Sequence, residues 1–267
     1  MDNLRDVQNE LPRVSIPLNR VGVFGLEYPC FIKRKDGGLV EHIAIMNIYV
    51  ELPESYRGTH MSRFLEVLEN FYDRTGQFPR QMEDFLHQLC IVLTSRKGYI
   101  ELETPFVLEK LSPSSKKRSK IVFRLFMKGI YQVDTEYNRY TFLLGAQVSG
   151  NSTCPCSREI SEYGAHSQRV QALVWIHSDE EIWFEDLVDI IEDSFSAPLH
   201  SLLKRNDEKF ITEMSFSNPK FVEDVARDIA FKLLQTADID AYKVDVTSFE
   251  SIHLHNAYAC IEENWRW

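Results

Sequence analysis

The stretch Val40-Glu41-His42-Ile43-Ala44-Ile45-Met46-Asn47-Ile48-Tyr49-Val50-Glu51-Leu52 alternates along its length and reads as a strand with one buried face. Ala44, Met46, Ile48, Val50 and Leu52 share that face, as a two-residue repeat requires. Working outward, Val21–Lys33 supplies a partner strand across the turn Lys35-Asp36-Gly37-Gly38. Downstream, Met61, Phe64, Leu65, Leu68 and Phe71 form one helical apolar stripe, and Met82, Phe85, Leu86, Leu89 and Leu93 form another. Strands over Tyr99–Leu111 and Lys120–Val133 close this half. In the latter, Ile121, Phe123, Leu125 and Met127 face one way while Arg124 and Lys128 face the other.

The rest of the chain replays this order. A strand over Tyr140–Val148 is separated by a long polar insert from another over Arg169–Ile176. Phe184, Leu187, Val188, Ile191 and Phe195 mark a helix, and a second starts at Asn218-Pro219, a suitable N-cap and first-turn pair, and carries Val222, Val225, Ile229 and Leu233. Strands over Tyr242–Phe249 and Ala257–Glu262 finish the pattern. The expected class is α+β: two tandem ββααββ modules, each an antiparallel sheet with helices on one face. The boundaries expected are an N-terminal segment 1–18, a first module 19–135 and a second module 136–267. Such sheets keep an uncovered face and open edges, which predicts a homo-oligomer.

Composition bounds the function. The 267 residues hold 30 Lys+Arg against 40 Asp+Glu, a net charge of −10, which argues against nucleic-acid binding. A small anion is still admissible, because a few cations set the field of one pocket. No apolar run reaches the roughly 20 residues of a membrane span, and Met1-Asp2-Asn3-Leu4-Arg5-Asp6 does not open a signal peptide. A cytoplasmic protein without membrane contact is expected. Five cysteines, an odd number thinly spread, do not make a disulfide framework. Cys30, Cys90 and Cys260 lie in predicted regular elements, and Cys90 and Cys260 are expected to be buried.

Cys154 and Cys156 sit instead in the polar insert Gly150–His166, flanking Pro155, with His166 twelve positions after Cys154. Thiolate and imidazole suit a borderline transition metal; a surface loop with inert thiols accounts for the same pattern. Lys204-Arg205-Asn206-Asp207-Glu208-Lys209 is either a solvated charge run between two helices or an oxygen ligand, Glu208, among phosphate-binding cations Lys204, Arg205 and Lys209. His253 and His255 would share a face if the strand ending in Phe249-Glu250 continued through them. Glu223, one turn into the last helix, is a favourable helix-dipole carboxylate on the plain reading. His42, His60, His87, His177 and His200 stand alone.

Taken together, Cys154-Pro155-Cys156-Ser157 with Tyr163-Gly164-Ala165-His166, then Leu203-Lys204-Arg205 and Asp207-Glu208-Lys209, Asn218-Pro219 with Phe221-Val222-Glu223-Asp224, and Ser248-Phe249-Glu250-Ser251-Ile252-His253, resemble the prokaryotic GTP cyclohydrolase IB family. Asp6-Val7-Gln8, Arg20-Val21-Gly22-Val23 and Tyr28-Pro29 look like that family's opening. The resemblance runs through essentially the whole chain. It implies the tunnelling fold with two modules per subunit, a homotetramer with active sites near subunit interfaces, and hydrolysis of GTP to 7,8-dihydroneopterin triphosphate and formate for folate and queuosine-type products. It implies a divalent metal (zinc, manganese or iron(II)) and no organic cofactor. By position, Cys154, His166 and Glu208 match metal ligands, Glu223 matches the glutamate that anchors guanine, and Glu250 and His253 match polar residues at the reacting end. Cys156 lies in the same motif, which leaves open which loop cysteine binds metal and which is catalytic. Candidate triphosphate contacts are Lys204, Arg205 and Lys209, with Lys116-Lys117-Arg118 as a further run.

Rival readings are another tunnelling-fold enzyme, a pterin synthase or a nitrile reductase with Cys156 as nucleophile, or a non-catalytic metal-binding interaction module. A cyclic phosphate product, as in a related archaeal branch, is a variant of the primary reading.

Overall fold

The computed structural model describes residue 8 and residues 10–72, 81–236 and 238–267. Asp6 and Val7 of the opening motif lie outside these. The chain divides into two compact units, residues 1–104 with 126–143, and residues 105–125 with 144–267.

In the first unit, β1 (Leu18–Lys33) and β2 (Leu39–Leu52) form a hairpin. Its turn closes with Arg34 N–H on the Gly38 carbonyl (2.8 Å) and Gly37 at φ +85°. An irregularity between Val23 and Leu26 holds Gly25 at φ +69°, and its amide donates to Asn47 Oδ1 at 2.8 Å. That is the conformation a glycine bulge needs. Helices α1 (Met61–Tyr72) and α2 (Met82–Val92) precede β3 (Lys97–Leu111) and β4 (Arg118–Gln132). Ala44, Met46, Ile48 and Val50 are buried as the alternation requires, together with Phe64, Leu68, Phe85, Leu86 and Leu89. Met61 and Leu65, expected in the α1 stripe, are exposed; Val67 takes the buried position. Cys90 is buried as expected, and burial pushes its thiol up to about 12, so it stays protonated.

The second unit contains the ends of β3 and β4 and then β5 (Arg139–Thr153), α3 (Pro155–Ile160), β6 (Ser167–Ser178), α4 (Phe184–Glu192), β7 (Ala197–Pro198), α5 (Arg205–Ser217), α6 (Val222–Gln235), β8 (Ile239–Phe249) and β9 (Ala257–Glu263). The sheet runs β1-β2-β3-β4-β5-β6-β8-β9, with β7 paired to β5. Val170, Ala172, Val174 and Ile176 of β6 and Val244 and Val246 of β8 are buried, as are Leu187, Val188 and Ile191 of α4 and Val225, Ile229 and Leu233 of α6.

Four expectations change. Residues 149–153 continue β5 rather than opening a loop, because their polar groups are paired inside the unit. The charged run at 204–209 opens an additional helix, α5. Asn218 ends α5 instead of starting α6: its Nδ2 donates to the carbonyls of Phe195 (3.1 Å) and Ser196 (3.3 Å), and α6 is capped by Asp224, which accepts from Phe221 N–H at 3.0 Å. Finally, Cys260 is exposed, since it falls on the row of β9 with Tyr258 and Glu262 while Ala257, Ala259 and Ile261 make the half-buried row.

Two contacts position the loops described below. Phe195, fully buried, lies directly on the β5 backbone at Gly150, where an added Cβ would meet its ring at 2.1 Å. Asp207, also fully buried, accepts Ser114 N–H (2.8 Å), Ser115 N–H (2.7 Å), Ser115 Oγ–H (2.6 Å) and Lys204 N–H (2.8 Å). It ties the β3–β4 turn to the start of α5. Burial alone would raise this carboxyl, but the four donors outweigh it and hold it well below the usual carboxylate range.

Gly150→Ala is therefore expected to cost about 1–3 kcal/mol through overpacking, read as a Tm lower by several degrees with far-UV circular dichroism unchanged. Asp207→Asn, which turns an amide N–H₂ toward N–H donors, is expected to lower Tm at neutral pH. Because the folded-state carboxyl is depressed, its stabilisation is complete above the unfolded value of about 3.9 and is lost as pH falls through the folded value. The Tm gap between wild type and variant should thus narrow below that pH; a gap that widens on acidification contradicts the clamp.

Candidate active site

Strand β5 ends in a buried polar seam. Asn151 O accepts Ser196 N–H (3.0 Å), Thr153 N–H donates to Ser196 Oγ (3.2 Å), and Thr153 O accepts Lys220 N–H (3.0 Å). Ser152 Oγ donates to Lys220 O (2.6 Å), while Ser215 Oγ bonds both Asn151 Oδ1 (2.6 Å) and Thr153 Oγ1 (2.7 Å). Segments flanking β7, α5 and α6 are all held to these three residues. The next residue is Cys154.

Cys154 is the extended N-cap of α3, with Pro155 at its first turn. The loop closes on itself here: Cys154 N–H donates to His166 O at 3.1 Å. Ser157 fills the enclosure. Its N–H donates to Cys154 Sγ (3.5 Å), its Oγ–H to Cys154 O (3.2 Å), and its Oγ accepts His166 N–H (3.1 Å). The insert that looked like an open polar loop is thus a short helix with its two chemically active ends tied together. Arg158 lies over the Phe216 ring at 4.9 Å, which docks α3 on α5.

The His166 ring is also oriented. Its Nδ1 lies 2.9 Å from Oε1 of the buried Gln168, an arrangement that suits the tautomer with the proton on Nδ1 and the lone pair on Nε2. Ser251 Oγ lies 3.4 Å from the same Nδ1, bringing the turn after β8 to this ring. In that turn Glu250 accepts Ser248 Oγ–H at 2.7 Å. Strand β8 stops at Phe249, so His253 and His255 do not share a strand face. They sit in the exposed turn and their rings stack at 5.2 Å, 16° apart. Turn geometry, not pleating, pairs them.

The remaining expected residues are exposed at helix starts. Glu208 lies in the first turn of α5 and Glu223 in that of α6. Lys204 and Arg205 are exposed at the entry to α5, and Lys209 pairs with Glu213 at 3.7 Å. The Asp207 clamp sets Lys116 and Lys117 of the β3–β4 turn beside this entry, within one compact unit, while Arg118 pairs with Glu109 at 3.0 Å. Cys156 is exposed on α3, whereas Cys154 is half-buried. Among the described residues, Cys154, His166 and Glu208 are not gathered within 4.8 Å of one another; the group that is so gathered is His177, Asp179 and Asp240.

The donor set nonetheless suits a divalent transition metal. A thiol, an imidazole nitrogen whose partner nitrogen is held by Gln168, and a carboxylate are the sulfur, nitrogen and oxygen donors such ions take. An outer hydrogen bond to the second ring nitrogen is the usual accompaniment of a metal-binding histidine. Ser157, Asp207 and Ser251 stand in the quoted motifs without an assigned role, and Gln168 lies outside them. Gln168 lies two residues after His166 and Ser157 three after Cys154, whereas Asp207 and Ser251 are defined by partners distant in sequence.

Among the described residues, no helix is long and apolar enough to cross a membrane. Uricase from Arthrobacter globiformis superposes on the chain with a TM-score of 0.52, covering 93% of this chain and 95% of that one at 10% identity. The likeness is one of fold, and it supports the α+β tunnelling fold with two tandem modules expected above. The GTP cyclohydrolase FolE2 of Fervidobacterium nodosum is 44% identical over 258 residues, 97% of each chain. That of Thermosipho africanus is 44% identical over 261 residues, 98% of each. A family model described as type I GTP cyclohydrolase folE2 matches residues 4–259, which include the closed loop, both helix starts and the turn after β8. With the motifs in place and the match spanning nearly its whole length, the chain belongs to the type I GTP cyclohydrolase FolE2 family.

Proposed function

We propose that this protein hydrolyses GTP to 7,8-dihydroneopterin triphosphate and formate, the first step toward tetrahydrofolate, with the same product serving queuosine-type nucleosides. The observation that carries this reading is the closed loop in which Ser157 ties Cys154 to His166 and Gln168 holds the Nδ1 edge of the imidazole. A GTP cyclohydrolase needs a site of this type, and the FolE2 relatives share the chain's full length.

Cys154, His166 and Glu208 would hold a divalent metal, with zinc, manganese and iron(II) the ions to compare. Such a metal lowers the pKa of bound water and supplies hydroxide near neutral pH. The chain's own residues do the rest. Glu223 accepts two N–H bonds from the guanine edge and sets the purine's register. Lys204, Arg205 and Lys209, with Lys116 and Lys117, offset the triphosphate charge that an acidic chain would otherwise repel. As water adds to the carbon between the two imidazole nitrogens of guanine, a ring nitrogen must take a proton, and His253 is its donor. Glu250, oriented by Ser248, positions His253 or relays protons. Cys154 is favoured over Cys156 as ligand because its Sγ faces inward on Ser157 while Cys156 is exposed. Cys156 then serves the acid–base chemistry. A second hydrolysis releases formate, and opening and reclosure of the sugar need only acid–base groups.

We place the enzyme in the cytoplasm, as a homotetramer of two-module subunits (19–135 and 136–267, after a segment 1–18). Glu208 would supply the oxygen ligand that completes the set begun by Cys154 and His166.

Metal-reconstituted protein incubated with GTP should release formate and a pterin that fluoresces after oxidation. No turnover with zinc, manganese or iron(II) overturns the reading, and a cyclic phosphate in place of the triphosphate would redirect it to that product. Glu223→Ala is expected to lose at least tenfold in kcat/KM for GTP; full activity there removes the guanine anchor. His166→Ala should lower the metal bound at this site, checked by elemental analysis of the purified protein.

A further inference from the structure

We propose that His177, Asp179 and Asp240 form a second site for a divalent transition cation, separate from the loop of Cys154 and His166. One ligand atom from each of the three lies within 4.8 Å of the others, and they are the one such group among the described residues. The inference does not depend on the reading of the protein as a GTP cyclohydrolase.

The site is a product of strand register. Antiparallel β6 and β8 pair His177 with Ala241, and the ladder then slips so that Ser178 faces Ile239. Asp240 falls inside the slip, and its carboxylate meets His177 and, one residue past the end of β6, Asp179. The His177 ring is half-buried and stands edge-on to Trp267, with centroids 5.5 Å apart at 70°, which restricts its rotation.

Electrostatics calls for a cation here. Two carboxylates converge beside an imidazole where the stretch after β6 also carries Glu180 and Glu181 and the start of β8 follows Asp238. Among the described residues neither Asp179 nor Asp240 is in an ion pair. Lys243, the lysine of β8 nearest in sequence, is committed to Glu262 (2.9 Å) and Asp245 (3.9 Å). One imidazole nitrogen with two carboxylate oxygens is a mixed donor set that suits manganese, iron(II), cobalt or zinc, whereas calcium and magnesium favour oxygen alone. The two exposed carboxylates leave positions for water, so the ion would exchange from solvent.

His166 precedes β6 and His177 stands near its far end, and at about 3.3 Å per residue the strand puts them roughly 35 Å apart. The second ion would therefore not take part in the reaction. It would join the end of β6 to the start of β8 and, through the His177–Trp267 contact, to the C-terminus. Metal content of the whole protein would then count two ions where one was expected for catalysis.

The test uses the full chain, with Mn²⁺ as probe in equilibrium dialysis. Wild type should bind two ions per chain. Asp179→Asn/Asp240→Asn should retain one ion and unchanged formate release from GTP. Cys154→Ser/His166→Ala should retain the other ion, whatever its activity. Because outer-sphere changes already cost about 10–100-fold in metal affinity, loss of two ligands should weaken this site by at least that factor. Co²⁺ added to wild type should quench the fluorescence contributed by Trp267, identified by difference with Trp267→Phe, and should not do so in the Asp179→Asn/Asp240→Asn protein. Both aspartates are exposed, so their exchange for asparagine leaves the core intact. An Asp179→Asn/Asp240→Asn protein that binds as many Mn²⁺ ions as wild type with equal affinity, or a wild type whose bound Mn²⁺ disappears entirely in Cys154→Ser/His166→Ala, overturns the proposal. Since that count is independent of GTP turnover, an inactive enzyme that still binds the second ion separates failure of the catalytic reading from failure of this one.

Discussion

The end of β5 is the constraint on which the second unit rests. Ser152 and Thr153 are buried and Asn151 beside them is half-buried, and buried polar groups left unpaired are costly. Each is answered by a segment from elsewhere: Ser196 beside β7, Ser215 on α5 and Lys220 ahead of α6. The seam cannot form unless all three arrive together, so it couples the packing of the additional helix to the strand. It also ends one residue before Cys154. The loop chemistry is consequently built directly on this hydrogen-bonded seam.

A similar economy governs charge. The chain carries a net −10, yet the residues suited to an anion are concentrated where Asp207 brings two segments together. One buried carboxylate, satisfied by backbone and hydroxyl donors, aligns the β3–β4 turn with the start of α5 and so brings the lysines of both segments to one end of the unit. Local geometry thus opposes the average charge.

Strands β6 and β8 have different chemistry at their two ends. At one end His166, Gln168, Glu250 and Ser251 come together. At the other, a slip of one residue gathers an imidazole and two carboxylates. The same ladder specifies both, because register decides which side chains meet across it.

Much was legible from residue order. The alternation of Ala44 to Leu52 and the stripes of α2, α4 and α6 determined their elements, since apolar burial follows periodicity wherever one face meets a core. The motif around Cys154 and His166 was recognisable as chemistry because thiol and imidazole are uncommon together in a polar insert. What the sequence could not settle were features whose partners lie far along the chain. Residues 149–153 looked like loop because polarity normally means exposure, and only their distant partners make them strand. Asn218 looked like a helix start because its ability to cap does not depend on direction; the carbonyls of Phe195 and Ser196 decide that it ends α5. His177 looked solitary because Asp240 reaches it through β6–β8 pairing. Sequence alone determined most strands and helices and the types of reactive group, through local periodicity and side-chain chemistry. Tertiary structure alone decided which of those groups meet, because hydrogen-bond satisfaction and strand register are properties of pairs that the chain brings together only on folding.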